Sequence, residues 1–539
     1  MELLRNALQT LVDEMAYTLG RTCVSQLVRD VQDFSTGLCD SSGNLIALSI
    51  TQPGTLAMIP GVLAHVIPEY GSTAQPGDVI IVNDPYHGGT HLNDIHLMTP
   101  VVVDGAVVAW VTSKAHHVDV GGKVPGSMSF DCSEIFQEGL RIPPLKLYEA
   151  GRPNASVFKM IELNVRYPDV VLADLGAQIA SLEIGQAGVL DLVRQYGADE
   201  LARYFAALLD HGEALARARI AAWPDGTAEF EDYCDDDGVT GQPVVIHVKV
   251  TVAGEEVLVD FTGTSPQVPA AINFPNFEAV SYAWLVLRCC LGDVPNNSGS
   301  FRTVQTIIPE GCVLNPRPPA PSSERGLVTY RVGDAVFGAM APFVPEGVTA
   351  AGEGGSYLMR ISGPGFLCVD LVQGTWGARQ TRDGVDGLAN LQANHTNTPV
   401  EVLEANFPIR VETHALVPDT GGPGRFRGGL AIERSWRYLA AGAGTFRSRS
   451  DRRRFPPYGL FGGLAGAPSS LTLDRPGQVS RQIDGKAVFE LLPGDLVTLR
   501  TAGGGGWGDP AGRLDERVVA DLAEGKITPA HAREVYRQP

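Results

Sequence analysis

The chain of 539 residues has no run of 18 or more apolar residues, the length that a membrane-spanning helix needs. Its opening, MELLRNALQT, reads as the start of a helix rather than a signal peptide, so a cytoplasmic location is expected and a membrane partner is excluded. Cysteine is scarce: Cys23, Cys39, Cys132, Cys234, Cys289, Cys290, Cys312 and Cys368 show no CxxC spacing, and a chain this long does not need disulfide staples. Reduced, mostly buried thiols are expected. Basic side chains are outnumbered, 42 against 61 acidic ones, and the net charge of −19 with no basic patch excludes nucleic acid. A Walker A loop is missing too, because Gly122-Lys123, Gly485-Lys486 and Gly525-Lys526 are followed by Val, Ala and Ile where Ser or Thr is required. No GxSxG elbow marks a serine nucleophile.

Hydrophobic residues at 44%, charged ones at 19% and a mean hydropathy near zero describe a compact chain of several structural units. Leu4, Leu8, Leu11, Val12, Met15 and Leu19 recur at helical spacing and predict an N-terminal amphipathic helix. From about Asp33 to Lys146, short apolar runs between Gly, Pro, Asp and Asn read as β. An Ala-rich helical segment follows between about Val170 and Ala222, with Leu190, Leu192, Val193, Leu201, Tyr204, Phe205 and Leu208 on its apolar side. Strands and turns then alternate, and Asn315 to Ser322, with its stacked prolines, reads as a linker. The last third holds the Gly-rich stretches 420–429 and 503–506 and ends in a helical tail from Asp515 to Tyr536. The expected class is α/β in the loose sense, with mixed and antiparallel sheets and segregated helices. Three regions are expected: 1–223, holding the N-terminal helix, a β-hairpin region and the helical segment; 224–318, a middle α/β region; and 319–539, Gly-rich and β-rich.

Six of the eleven histidines, His65, His87, His91, His96, His116 and His117, fall in a window of about 53 residues where an even spread would put about one. Within it, residues 83–94 read as a strand end and a polar loop. Asp104-Gly105 between the apolar runs 98–103 and 106–111 is a strong hairpin signal. With a two-residue turn there, positions whose numbers sum to 209 face one another, so Asn93 faces His116, and His91 and Asp94 converge on His116 at the open end. Two imidazoles and a carboxylate within that reach suit a divalent cation such as Mn, Zn or Fe. The competing reading is a hydrogen-bonded polar hairpin mouth, and the metal reading is preferred. Neighbours on a strand point to opposite faces, so His117 shares a face with Asp119 instead, an imidazole–carboxylate pair suited to proton transfer or to supporting a ligand. Elsewhere, Asp235 to Gly238 reads as a solvated turn, and Arg141 either pairs with Glu138 or clamps a substrate or a phosphate.

The stretches NDPYHGGTHLNDIHLMTPVV, SKAHHVDVGG, EIFQEGLRIPPLKLYEAG, NFPNFEAVSYAWLVLRCC, NHTNTPVEVLEANFPIRVE, TGGPGRFRGGL and TAGGGGWGDP resemble the hydantoinase B/oxoprolinase family, over nearly the whole chain. The resemblance implies a metal-bearing subunit working beside a hydantoinase A-type subunit that binds ATP, in a hetero-oligomer that opens a small cyclic amide such as a hydantoin, an oxoproline or a lactam. It also implies metal ligands at Asp33 in VQDFSTGL, His91 and Asp94 in THLND, and His116 in KAHH, with His117 or Asp119 managing the proton. Of the four, Asp33 comes from the resemblance alone. His87 and His96 depart from the family's usual pattern. Two alternatives stand beside hydrolysis: an ATP-dependent ketone carboxylase subunit, and a non-catalytic scaffold for the A subunit.

Overall fold

The computed structural model describes residues 2–354, 357–390, 392–393 and 395–537. The chain divides into two compact units, one formed by Met1–Thr227 with Lys249–Arg325 and the other by Ala228–Val248 with Gly326–Pro539. Sheets are antiparallel or mixed and helices are interleaved with the strands, within the α/β class expected. Among the described residues no helix is long and apolar enough to cross a membrane. All eight cysteines are free thiols, and all but Cys289 are buried.

The first unit is organised by helix α1 (Glu2–Thr22) and a seven-stranded sheet in the order β2-β1-β5-β4-β3-β6-β7. Its strands are β1 (Phe34–Asp40), β2 (Leu45–Leu48), β3 (Val79–Val82), β4 (Asp94–Val103), β5 (Ala106–His116), β6 (Leu145–Glu149) and β7 (Arg152–Pro153). The sheet is covered on both faces. On one side Leu38, Leu97, Val101, Ala109 and Val111 share a core with Leu4, Leu8, Leu11, Val12 and Met15 of α1 and with Val171, Leu175 and Leu182 of the helix Pro168–Tyr196. Each of the Leu, Val and Met side chains among these stabilises the fold by about 1.5–3 kcal/mol relative to exposure. On the other side Cys39, Leu45, Ile80, Val82, Met98 and Trp110 pack on Ile59, Val62, Leu63 and Val66 of helix α2 (Met58–Tyr70). That helix lies inside the stretch whose texture reads as β. The prolines at 60 and 68 and the glycine at 61 interrupt an otherwise helical i, i+3, i+4, i+7 pattern at 59, 62, 63 and 66.

The helical segment is two helices, Pro168–Tyr196 and Ala198–Ile220, separated at Gly197, whose φ of 83° a side chain would strain. In the hairpin, Asp104 and Gly105 both have positive φ, 50° and 80°, as a two-residue turn matched to the sheet twist requires. Val103 with Ala106 and Val102 with Val107 pair as the sequence predicts. The register then shifts between Val101 and Val102, leaving Val108 as the extra residue, so Val101 faces Ala109 and every later pair is displaced by one. Asp94, and not Asn93, therefore faces His116.

In the second unit, one sheet orders Phe366–Val372, Tyr357–Gly363, Gly444–Arg449 and Val488–Leu491, and another orders Ile409–Val417, Ala431–Tyr438, Leu496–Arg500, Ser470–Asp474 and Arg481–Gln482. The Gly-rich stretches stack backbone on backbone. A Cβ at Gly503 would overlap the Thr420 carbonyl, one at Gly428 the Gly504 carbonyl and one at Gly504 the Trp376 carbonyl. All four amides of Gly503 to Gly506 are committed, to the carbonyls of Ala467, Gly429, Ala351 and Leu464, which leaves no cradle for a phosphate. Asp235 and Asp237 are buried, against the expectation of a solvated turn, because they accept the backbone N–H groups of Arg453 to Phe455 and of Val239 to Gly241.

Candidate metal centre

Three adjacent strands bring the expected ligands onto one face of the seven-stranded sheet. On β5, side chains alternate: Ser113, Ala115 and His117 turn toward the Pro168–Tyr196 helix, while Thr112, Lys114 and His116 turn the other way. Asp94 faces His116 across the β4–β5 pair. The backbone N–H of His116 donates to the carbonyl of Asp33 (3.1 Å), which carries the β1–β5 pairing one residue beyond Phe34 and sets Asp33 beside His116. The short turn before β4, in which Asp94 N–H donates to the His91 carbonyl at 2.9 Å, folds His91 back over the same spot.

His91, Asp94 and His116 are all buried, and their ligand atoms lie within 4.8 Å of one another. His116 Nδ1 is 3.1 Å from Asp94 Oδ1 and 3.7 Å from Asp33 Oδ2, and His91 Nε2 is 3.5 Å from Asp94 Oδ2. Two residues that the sequence did not single out complete the cluster. Lys114 Nζ stands 3.0 Å from both Asp33 Oδ1 and Asp94 Oδ1, and Arg325 Nη2 donates to Asp94 Oδ2 at 2.8 Å while its Nε lies 2.6 Å from Glu278 Oε2. The Thr90 hydroxyl also donates to Asp94 Oδ2. Parity could have found Lys114, two residues before His116 on the same strand. Arg325 has no local signal at all.

Burial works against the charge of Asp94, but His91, Lys114, His116 and Arg325 outweigh it and hold the carboxyl well below its usual range. Burial, reinforced by the Arg325 guanidinium, holds His91 well below the ordinary imidazole value, so it is neutral and keeps a lone pair. For Lys114 burial opposes the ammonium, yet Asp33 and Asp94 raise its pKa overall. Burial pushes Glu278 up to about 8 against the pull of Arg325. The donor set is one that a divalent cation of the Mn, Fe or Zn class takes, and the Lys114 ammonium already holds a positive charge between the two aspartates. His91 Nδ1 is a buried ring nitrogen with no hydrogen-bond partner among the described residues.

His117 and Asp119 lie away from this face and apart from each other in their bonding. His117 is fully buried, its Nε2 is 2.9 Å from Gln178 Oε1, and burial lowers its pKa. Asp119 accepts the amides of Gly121, Gly126 and Arg166 and the Arg166 guanidinium at 3.1 Å. No hydrogen bond joins the two, because the strand ends at His116 and the chain turns before Asp119. His96, buried on the cluster's face, is held down to about 4 by burial, whereas the partly exposed His87 pairs with Asp84 at 3.1 Å. Arg141 pairs with Asp84 at 2.7 Å rather than with Glu138, whose carboxylate accepts the amides of Ser322 and Ser323.

A family model described as Hydantoinase B/oxoprolinase matches residues 1–510. The B component of a putative D-/L-hydantoinase from a Pseudomonas sp. is 32% identical over 559 residues, covering 99% of this chain and 94% of the relative. The crystal structure of an ATP-dependent caprolactamase from Pseudomonas jessenii superposes with a TM-score of 0.92 at 28% identity, over 99% of this chain and 95% of that one. The nucleotide-free structure of an ATP-dependent acetone carboxylase has a TM-score of 0.91 at 19% identity, over 99% and 79% of the two chains, a likeness of fold.

Proposed function

The chain belongs to the hydantoinase B/oxoprolinase family, and from that premise we propose that it is the metal-bearing subunit of a two-component, ATP-dependent cyclic amide hydrolase. One observation carries the reading: His91, Asp94 and His116, joined by Asp33, converge in a buried cluster on one sheet face. In this reading His91, Asp94, His116 and Asp33 hold a divalent cation, whose contribution when bound is Lewis-acid activation for hydrolysis of the ring amide. The chain's own groups prepare the place. Asp94 is kept ionised by Lys114 and Arg325 and His91 is kept neutral, so neither has to release a proton before it can act as a donor. Arg325 and Thr90 fix the rotamer of Asp94 from the side away from His116. His117, through Gln178, and Asp119, through Arg166, anchor the end of β5 and the loop after it, and act as positioning residues.

ATP is used on the partner, an A-type subunit, which supports this chain by activating the amide through phosphorylation. A reactive phosphorylated ring has to pass between subunits without meeting bulk water, so the association is stable and large. The test is to purify the chain alone and with its A subunit. The chain alone is expected to hold close to one equivalent of Mn, Zn or Fe and to show no ATPase activity, and ATP turnover is expected only when the A subunit and a cyclic amide are both added. A metal-free chain that supports full turnover, or substrate-stimulated ATPase activity of the chain by itself, overturns the proposal.

A further inference from the structure

Next to the cluster the first unit holds a cavity of about 150 Å3, lined by Pro85, Tyr86, Gly88, Pro275, Asn276, Phe277, Asn315, Pro316 and Ser322. Its lining residues neighbour the residues of the candidate centre along the chain. Gly88 lies two residues before Thr90, Phe277 precedes Glu278, and Ser322 lies three residues before Arg325, and all three of these followers touch the cluster. Cavities of about this volume hold one benzene-sized ring. The walls are shaped for a ring: three prolines, the Phe277 ring and the Tyr86 ring, the last fixed by its hydroxyl donating to the Ala320 carbonyl at 2.6 Å and by Arg141 lying 5.8 Å from its centroid.

Two further features define the occupant. Ser322 is 2% exposed and its Oγ has no hydrogen-bond partner among the described residues, so a buried hydroxyl is available to a ligand's amide. None of the lining residues carries a charge. The basic side chains on and beside the lining are engaged elsewhere, Arg141 and His87 with Asp84, Arg317 with Glu310, and Arg325 with Asp94 and Glu278. A carboxylate carried into this cavity would lose its water and meet no counter-ion, a heavy cost, while an uncharged ring loses little. Resting on the cyclic-amide reading above, we infer that this cavity receives the substrate ring and that the substrate is an uncharged cyclic amide, a lactam or hydantoin without an acidic substituent, with Ser322 Oγ as its hydrogen-bonding group.

The matched pair 2-pyrrolidinone and 5-oxoproline, the same five-membered ring without and with a carboxylate, tests this on the full-length chain by saturation-transfer NMR and calorimetric titration, without ATP. The expected result is measurable binding of 2-pyrrolidinone and at least tenfold weaker binding of 5-oxoproline. Ser322→Ala is expected to weaken 2-pyrrolidinone by about tenfold, the loss of one hydrogen bond. Ser322→Leu, which fills the cavity, should abolish binding, and Phe277→Trp provides a second filling variant at a partly exposed wall should Ser322→Leu fail to fold. Equal or tighter binding of 5-oxoproline, no binding of either ring, or unchanged binding by a folded filling variant overturns the inference. Metal content measured on the same samples reports on the metal centre separately, so the two readings fail independently.

Discussion

Replacing His116 and His117 one at a time should give opposite rankings for metal content and for stability. His116 sits on the cluster's face, but Asp94 keeps Lys114, Arg325 and Thr90 when it is gone, so His116→Ala leaves no carboxylate unpaired and should cost about 1 kcal/mol of folding stability. It removes one of four ligands, and bound metal should fall below roughly a tenth of stoichiometry. His117 is fully buried on the opposite face. His117→Ala opens a cavity and leaves Gln178 Oε1 without its partner, for about 2–4 kcal/mol of destabilisation. Its link to the centre runs only through the strand backbone and Gln178, so metal should stay above roughly half of stoichiometry, in line with losses of about 10–100-fold in affinity for supporting residues of a tight site. Calorimetric melting and elemental analysis on the same two preparations read both quantities. The face assignment is refuted if His117→Ala emerges metal-free while His116→Ala keeps its ion. Turnover adds a further separation: about tenfold loss with metal retained fits a positioning role for His117, and about 100-fold or more would make it a proton carrier.

Chelation should leave the first unit folded with a cooperative melt, because Lys114 and Arg325 already compensate Asp33 and Asp94; a chain unfolded by EDTA in circular dichroism would contradict this. Burial pushes the Glu138 pKa up to about 8 from 4.5, so between those values the folded protein holds a proton that the unfolded chain releases, and stability should fall as pH rises through that window. Urea titrations of Glu138→Gln should lack this slope, at most about 1.4 kcal/mol per pH unit, and an identical slope in both proteins would sink the assignment. Gly504→Ala, whose Cβ would strike the Trp376 carbonyl, should cost more than about 3 kcal/mol or abolish soluble expression, whereas Gly176→Ala, with open space in the exposed face of a helix, should raise stability by up to about 1 kcal/mol; equal melting temperatures for the two would refute the backbone-stacking account. Arg452→Met removes the nearer of the two guanidinium groups that the buried Asp232 and Asp334 share, leaving Arg331 at 3.9 and 3.4 Å, and should cost about 3–5 kcal/mol in chemical denaturation, a loss under about 1 kcal/mol counting against it.

Where local pattern governs structure, the sequence was legible. The apolar spacing of α1 lists the residues that the fold buries, and Asp104-Gly105 marks the turn of the β4–β5 hairpin. The bulge at Val108 was not legible, because one extra valine in an apolar run leaves the pattern of a regular strand intact while moving His116 from Asn93 to Asp94. Helix α2 was obscured by its own prolines and glycine. Asp33 reached the candidate site only through the family likeness, since its ladder partner lies far along the chain and no local period connects β1 to β5. Arg325 marks the limit of such reasoning: it enters the cluster from 231 residues beyond Asp94, and nothing around it in the sequence announces that contact. The glycines of 503–506 were visible as a composition but not as a structure, because what they require is the close approach of other backbones.

Buried charge by itself does not mark a centre in this protein, and the second unit shows why. There Arg331, Arg452 and Lys486 meet Asp232, Asp334 and Asp451, all nearly or fully buried, in a network whose cations are all guanidinium or ammonium groups. Such cations have no lone pair to give, so the network can balance its charges but offers a cation no nitrogen donor. On the first unit's sheet face the composition differs in kind. Lys114 and Arg325 again neutralise the aspartates, but two imidazoles stand among them, one held neutral with a ring nitrogen that no described protein group uses. His91 carries its unpartnered nitrogen, a desolvation cost, beside His116, Asp94 and Asp33, the one such nitrogen in the described donor set whose neighbours could share a cation with it. If the cluster holds a cation, as proposed, the imidazoles and not the carboxylates are what set it apart from the ion-pair network of the second unit.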